Sequence, residues 1–198
     1  MKKVCCPLLF VLLTVLPVFG SEAKIKEIRE RYRTVSEKID HEELLRHEII
    51  FKTLVPGIGF QVTTMHFYYE FLQDGETGEI LQSPLIKVTL DYSIAASVSF
   101  YIEYLFDETE EVTFYYLRAE GAECGEERFY FDNEKLVKVK ISPLEDCMEN
   151  GAGYLYEEYE RSGGFSTEDH AKAKKIVRKA QEHTQFFDEM GRIEQLEK

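Results

Sequence analysis

His41 with His47, His66 with Glu70, and Cys124 with Cys147 are the side chains whose chemistry this 198-residue chain could use. Two histidines four apart on a helix can grip zinc from one face. In His41-Glu42-Glu43-Leu44-Leu45-Arg46-His47 they stand six apart, about 240° around a helix, so the imidazoles diverge and read as solvated. His66 sits in an alternating stretch that sets it with Thr64, Tyr68 and Glu70 on one face, opposite Met65, Phe67, Tyr69 and Phe71. Glu70 is too far along the same strand for direct contact with His66; only neighbouring strands could bridge them. Converging His66, Glu70 and further carboxylates would make a metal-dependent or hydrolytic centre, while an ordinary sheet histidine is the plainer reading.

No nucleophile elbow, phosphate loop or dinucleotide fingerprint is present. The acids are so numerous that no pair stands out for glycosidase chemistry, and none follows the spacing of a calcium loop. The sequence therefore assigns no catalytic residue, metal ligand or cofactor.

The cysteines divide by position. Lys2 and Lys3, the apolar run Leu8–Leu16 and the Val18-Phe19-Gly20 triplet have the layout of a secretory signal, with cleavage expected between Gly20 and Ser21. The run is short of the roughly 20 apolar residues a membrane-spanning helix needs, so no stable anchor is expected after cleavage. Cys5 and Cys6 would leave with the signal. Cys124 and Cys147 would remain, bound for an oxidising periplasmic or extracellular space, and a disulfide between them is expected. It would close a loop of about 24 residues, an entropic gain of roughly 3 kcal/mol. A thiolate metal pair or a redox site fits less well, because the spacing is not C-x-x-C and no histidine lies between them.

Losing the two signal lysines takes the formal charge from −13 to −15, a balance that repels phosphate backbones and argues against nucleic-acid partners. It also disfavours docking on anionic lipid. Solubility is the plain reading of the excess acid.

Aromatic residues are the remaining clue. Twelve Tyr and fourteen Phe recur as doublets in alternating segments, including Tyr68-Tyr69, Phe100-Tyr101, Tyr115-Tyr116 and Phe129-Tyr130-Phe131, while Trp is absent. Each doublet sends one ring to either face of a strand. Cross-strand packing alone could explain them. The functional reading is a binding face built from His66, Tyr68, Tyr69, Tyr101 and Tyr115, since Tyr is enriched where proteins meet partners.

The elements that must carry these residues follow from periodicity. Ile25, Ile28, Tyr32, Val35 and Ile39 mark a helix over 22–39, with 40–47 as a polar connector. Strands are expected at Glu48–Leu54, Phe60–Leu72, Leu85–Tyr92, Ile94–Phe106, Val112–Ala119, Cys124–Phe131 and Leu136–Ile141, with a further one at Tyr154–Glu160. Val137, Val139 and Ile141 are expected to face one way, and Lys138 with Lys140 the other. Ser166-Thr167-Glu168-Asp169 reads as a capping box opening a final helix whose face holds Ala173, Ile176, Val177, Ala180, Thr184 and Phe187. The expected fold is α+β: an antiparallel sheet of about six to eight strands flanked by an N-terminal and a C-terminal helix, with the helices on one face or end. Residues 21–198 would form a single domain.

Glu126–Val139 (EERFYFDNEKLVKV), the Ile25, Ile28, Arg29, Tyr32 pattern of the first helix and the closing helix through Ala171–Met190 resemble a group of small exported bacterial proteins with a YYFDNGKL-like hairpin. Residue 134 is Glu where that pattern often has Gly. The resemblance implies a fold and an exported location and carries over no catalytic residue. The expectation is a non-enzymatic exported protein that binds an unidentified protein or small ligand through its sheet face. A carrier holding an apolar ligand between helix and sheet, in an open cavity above about 300 Å³, and an enzyme with no recognisable motif are the alternatives.

Overall fold

The structure, a computed structural model, describes residues 16–70, 72–73, 75, 80–81, 83–94, 98–121, 124–144 and 157–196. Helix α1 (Leu16–Asp40) leads into β1 (Leu45–Val55) and β2 (Gly59–Tyr69). Two short strands, β3 (Leu72–Gln73) and β4 (Ile80–Leu81), pair with each other outside the main sheet. Then come β5 (Leu85–Ile94), β6 (Val98–Phe106), β7 (Val112–Gly121), β8 (Gly125–Asp132), β9 (Lys135–Ser142), β10 (Tyr159–Arg161) and helix α2 (Thr167–Leu196).

Eight of these strands form one antiparallel sheet in the order β1-β2-β5-β6-β7-β8-β9-β10, so every strand lies beside its neighbour in the chain once the β3–β4 excursion is set aside. The expected α+β architecture is present. The strand expected at Ile94–Phe106 is β6, but it starts at Val98: Ile94 ends β5 and pairs with Val98. The strand expected at Tyr154–Glu160 is described only as Tyr159–Arg161, and its first residues lie outside the described part.

Turn chemistry sets the hairpins. Val55-Pro56-Gly57-Ile58 closes β1 on β2 with Ile58 N–H donating to Val55 O at 3.1 Å; Pro at the second position and Gly57 at φ +80° suit a type II turn. Asn133 and Glu134 join β8 to β9 at φ +48° and +58°, a two-residue turn of the I′ kind that matches strand twist. Glu134 takes this conformation without being Gly, and its Oε1 accepts from Gln181 at 2.7 Å.

The two helices cover opposite faces of the sheet, not one. A sheet puts successive side chains on opposite sides, and both sides here carry apolar residues. Ile25, Ile28 and Val35 of α1 pack with Ile86, Leu105, Phe114 and Tyr130. Ala173, Ile176, Ala180 and Phe187 of α2 pack on Phe67, Val88, Tyr104, Phe106, Phe129 and Val139.

Three irregularities shape the seat of α1. Register shifts between β2 and β5, β6 and β7, and β8 and β9 leave Ile86, Thr113 and Val137 without a partner residue. An extra residue flips the alternation and tightens the local twist. Ile86 and Val137 thereby join the α1 cluster, while Val139 and Ile141 stay in the α2 cluster. The three residues expected on one face of β9 are split for this reason.

The predicted cap of α2 is formed. Ser166 Oγ accepts from Asp169 N–H at 3.0 Å and Asp169 Oδ2 accepts from Ser166 N–H at 2.7 Å. Burial alone would raise the Asp169 pKa; donation from Ser166, Tyr159 OH (2.7 Å) and Arg161 (2.6 Å) outweighs it and holds the carboxyl at about 2.

Candidate functional site: an aromatic cleft beside helix α1

The five residues expected to share a binding face are divided by the sheet. His66 and Tyr101 stand on the α1 side with Tyr68, whose ring lies 6.1 Å from that of His66. His66 Nε2 lies 2.8 Å from Glu48 Oε2 and Nδ1 3.3 Å from Thr89 Oγ1, while Tyr101 donates to Glu103 at 2.6 Å. Tyr69 and Tyr115 stand on the α2 side. Tyr69 stacks on His47 at 4.9 Å and bonds its Nε2 at 2.8 Å; Tyr115 is 5% exposed, wedged between Tyr104 and Phe129. Register decides this: Tyr101 is opposite Arg118, so Tyr116 and not Tyr115 shares its side.

His66 and Glu70 do not converge, because Glu70 reaches away to Lys38 of α1 at 2.5 Å. His41 and His47 are likewise apart, His41 beside Glu43 and His47 under Phe187. Among the described residues no group of three or more His, Cys, Asp or Glu is placed to hold a metal ion. Cys124 is fully buried and is not a free thiol, and Cys147 lies outside the described residues.

The structure brings together a different set. Alongside α1 a cleft of about 330 Å³ is lined by Ile28, Arg29 and Tyr32 from the helix, Phe114 and Tyr116 from β7, and Arg128 and Tyr130 from β8. The helix stripe that seats Ile28 also delivers Tyr32 four residues on, and the alternation of β7 and β8 delivers the other four. Tyr32 meets Phe114 edge-on at 5.1 Å, and Phe114 meets Tyr130 at 5.0 Å. The Arg29 guanidinium lies over Tyr130 and that of Arg128 over Tyr116, each 5.6 Å from the ring centre.

A buried ion pair lies behind Tyr32. Lys87 Nζ and Glu103 Oε1 are 3.0 Å apart with both side chains 5% exposed, and the same ammonium sits 4.8 Å over the Tyr32 ring. Burial, then the neighbouring Glu103, holds the Tyr32 and Tyr101 phenols far above their ordinary range; burial and Glu126 raise Tyr116. At neutral pH these phenols stay protonated, offering rings and O–H groups and no charge. Arg128 bonds Glu126 at 2.9 Å, and Tyr116 and Ser142 also donate to that carboxylate. The lining itself holds two guanidiniums and no carboxylate; Glu126 adjoins Arg128, and Glu160, paired with Lys138, acts on Arg29.

The space directly beneath α1 is filled by Ile25, Val35, Ile86 and Leu105, so the cleft lies beside the helix. A second groove on its other flank, about 520 Å³, carries Glu27, Glu30, Glu70 and Glu108 against Arg31 and Lys38 and has the opposite polarity.

Sequence reasoning missed Arg29, Tyr32, Tyr116, Arg128 and Tyr130 as a group. Tyr32 was visible on the helix stripe and Arg128 alternates with Tyr130, but only strand register shows that they meet. No helix among the described residues is long and apolar enough to cross a membrane. No family model, no curated protein and no solved structure matches the chain.

Proposed function

We propose that the protein is an exported, non-enzymatic binding protein whose ligand sits in the aromatic cleft beside α1. Export rests on the signal-like first twenty residues, and a Cys124–Cys147 disulfide on the full burial of Cys124 and its lack of a free thiol. One observation carries the binding reading: two guanidiniums, each laid over a tyrosine ring, border a half-open cleft whose phenols remain neutral. Such walls suit a small molecule with a flat apolar body and a single anionic group. Rings stack on the body, and a guanidinium fork pairs with a carboxylate or sulfonate.

The probe 1-anilinonaphthalene-8-sulfonate has that chemistry and reports its own binding by fluorescence. We expect one saturable site, weakened about tenfold or more by Arg128→Ala and by Tyr116→Ala, and a weaker response from N-phenyl-1-naphthylamine, which lacks the anion. Equal binding of the charged and neutral dyes, both insensitive to Arg29→Ala and Arg128→Ala, would sink the reading and favour a carrier of apolar ligands.

A further inference from the structure

We infer that β1 is a self-association edge, where a second copy of this chain adds its own β1 antiparallel and joins two sheets into one. The inference is independent of the cleft.

β1 ends the sheet, and among the described residues only β2 pairs with it. It is eleven residues long, and an unpaired edge of that length offers a row of backbone donors and acceptors to another strand. The hairpin also outruns its neighbour: β5 pairs with β2 only from Thr63 onward, so among the described residues Lys52–Val62 is supported by its own two strands alone. Its apolar side chains are correspondingly open, with Leu54 65%, Phe60 73% and Ile50 53% exposed. Apolar exposure clustered on an edge marks an interaction surface.

Charge identifies the occupant. Residues 49–69 contain no Asp or Glu in a chain that has 37, so two copies meet here with the least mutual repulsion. A two-fold axis perpendicular to the sheet keeps the α1 sides together and pairs residues of equal parity. An axis through Ile50 pairs Glu48 with Lys52 of the other copy, twice, and sets Ile49 against Phe51 and Leu45 against Val55. An axis at Ile49 opposes Arg46 to Lys52; axes at Glu48 or Lys52 oppose like charges directly; one at Phe51 faces both charges with apolar residues. An axis at His47 also sets Arg46 against Glu48 but overlaps only Leu45–Ile49, so Ile50 alone gives a complementary ladder over the whole of β1. Lys52 makes no ion pair among the described residues, and Glu48 keeps 45% of its side chain exposed while contacting His66. A second copy of the chain supplies Lys52 with the carboxylate it lacks.

Sedimentation of the exported protein over a wide concentration range tests this. We expect a monomer–dimer equilibrium that Lys52→Glu weakens about tenfold or more, by setting Glu against Glu48, and that Glu48→Lys weakens likewise. The double exchange Glu48→Lys/Lys52→Glu restores it. These side chains are on the surface, so circular dichroism should show all three variants folded. Under oxidation Ile50→Cys should cross-link at the axis, whereas Phe51→Cys, opposite Ile49, should not. A protein monomeric at every concentration, a dimer unmoved by Lys52→Glu, or a double exchange that fails to restore pairing would overturn the inference. So would a monomer whose hairpin binds phosphatidylcholine vesicles and loses them on Phe60→Ser.

Discussion

His183 shows how one side chain ties stability to pH. It lies on α2 with its ring edge-on to Tyr104 at 5.0 Å. Burial lowers its pKa to about 4, Lys179 acts in the same sense, and Glu182 opposes them. Unfolded, the imidazole takes up a proton near pH 6.5; folded, it does so only near 4. Between those values the unfolded chain binds more protons. The contribution is therefore complete above about pH 6.5, declines as pH falls toward 4, and is level below that. The difference amounts to at most about 3 kcal/mol. Urea melts at pH 7 and pH 5 should show this loss in the native protein and a much smaller one in His183→Gln. Equal slopes in the two proteins would remove His183 as the cause.

At the scale of elements, the joint between α1 and the sheet depends on a charge pair as well as on apolar packing. Lys87 on β5 and Glu103 on β6 neutralise each other where α1 lays Tyr32 over them, and Glu103 Oε2 has no hydrogen-bond partner among the described residues. Removing only the ammonium strands a buried carboxylate with Tyr101 as its donor. Lys87→Met should thus cost about 3–5 kcal/mol, and Lys87→Met/Glu103→Leu distinctly less, because the second change removes the orphaned charge. Chemical denaturation of the three proteins decides it: a double variant as unstable as the single one would mean that packing volume, not charge, holds the joint.

Over the whole molecule, support is graded from the centre outward. The middle strands are buried on both faces, whereas among the described residues the far half of β1–β2 has neither helix nor third strand beside it. Hydrogen exchange of dilute protein should accordingly be fastest at Lys52–Val62 and slowest on β6–β8; protection of the hairpin equal to that of β7 would contradict this picture.

The same gradation explains what the sequence could reveal. Helix stripes, the Pro56-Gly57 turn, the capping box and most strands are local patterns, and they were legible. Two things were not. The bulges at Ile86, Thr113 and Val137 reset the alternation, so residues two apart on β9 parted to opposite faces. Register is a relation between strands; choosing Tyr115 over Tyr116, or seeing Arg29 beside Arg128, requires knowing which residue lies opposite which. The Ala, Ile and Phe pattern of α2 marked a buried face without saying which side of the sheet it would cover.

The seat of α1 also imposes an order in time. The helix is the first described element of the chain, yet the surface it needs is assembled from Ile86, Leu105, Phe114, Tyr130 and Val137, which come 46 or more positions after its own last residue. β5 can pair with β2, already made, and each strand from β6 to β9 with the one made just before it, while α1 must wait. A chain emerging from a ribosome or threaded through a channel thus carries its leading helix undocked until β9 has arrived. The last contacts to form over that face belong to a segment made before every strand it packs on.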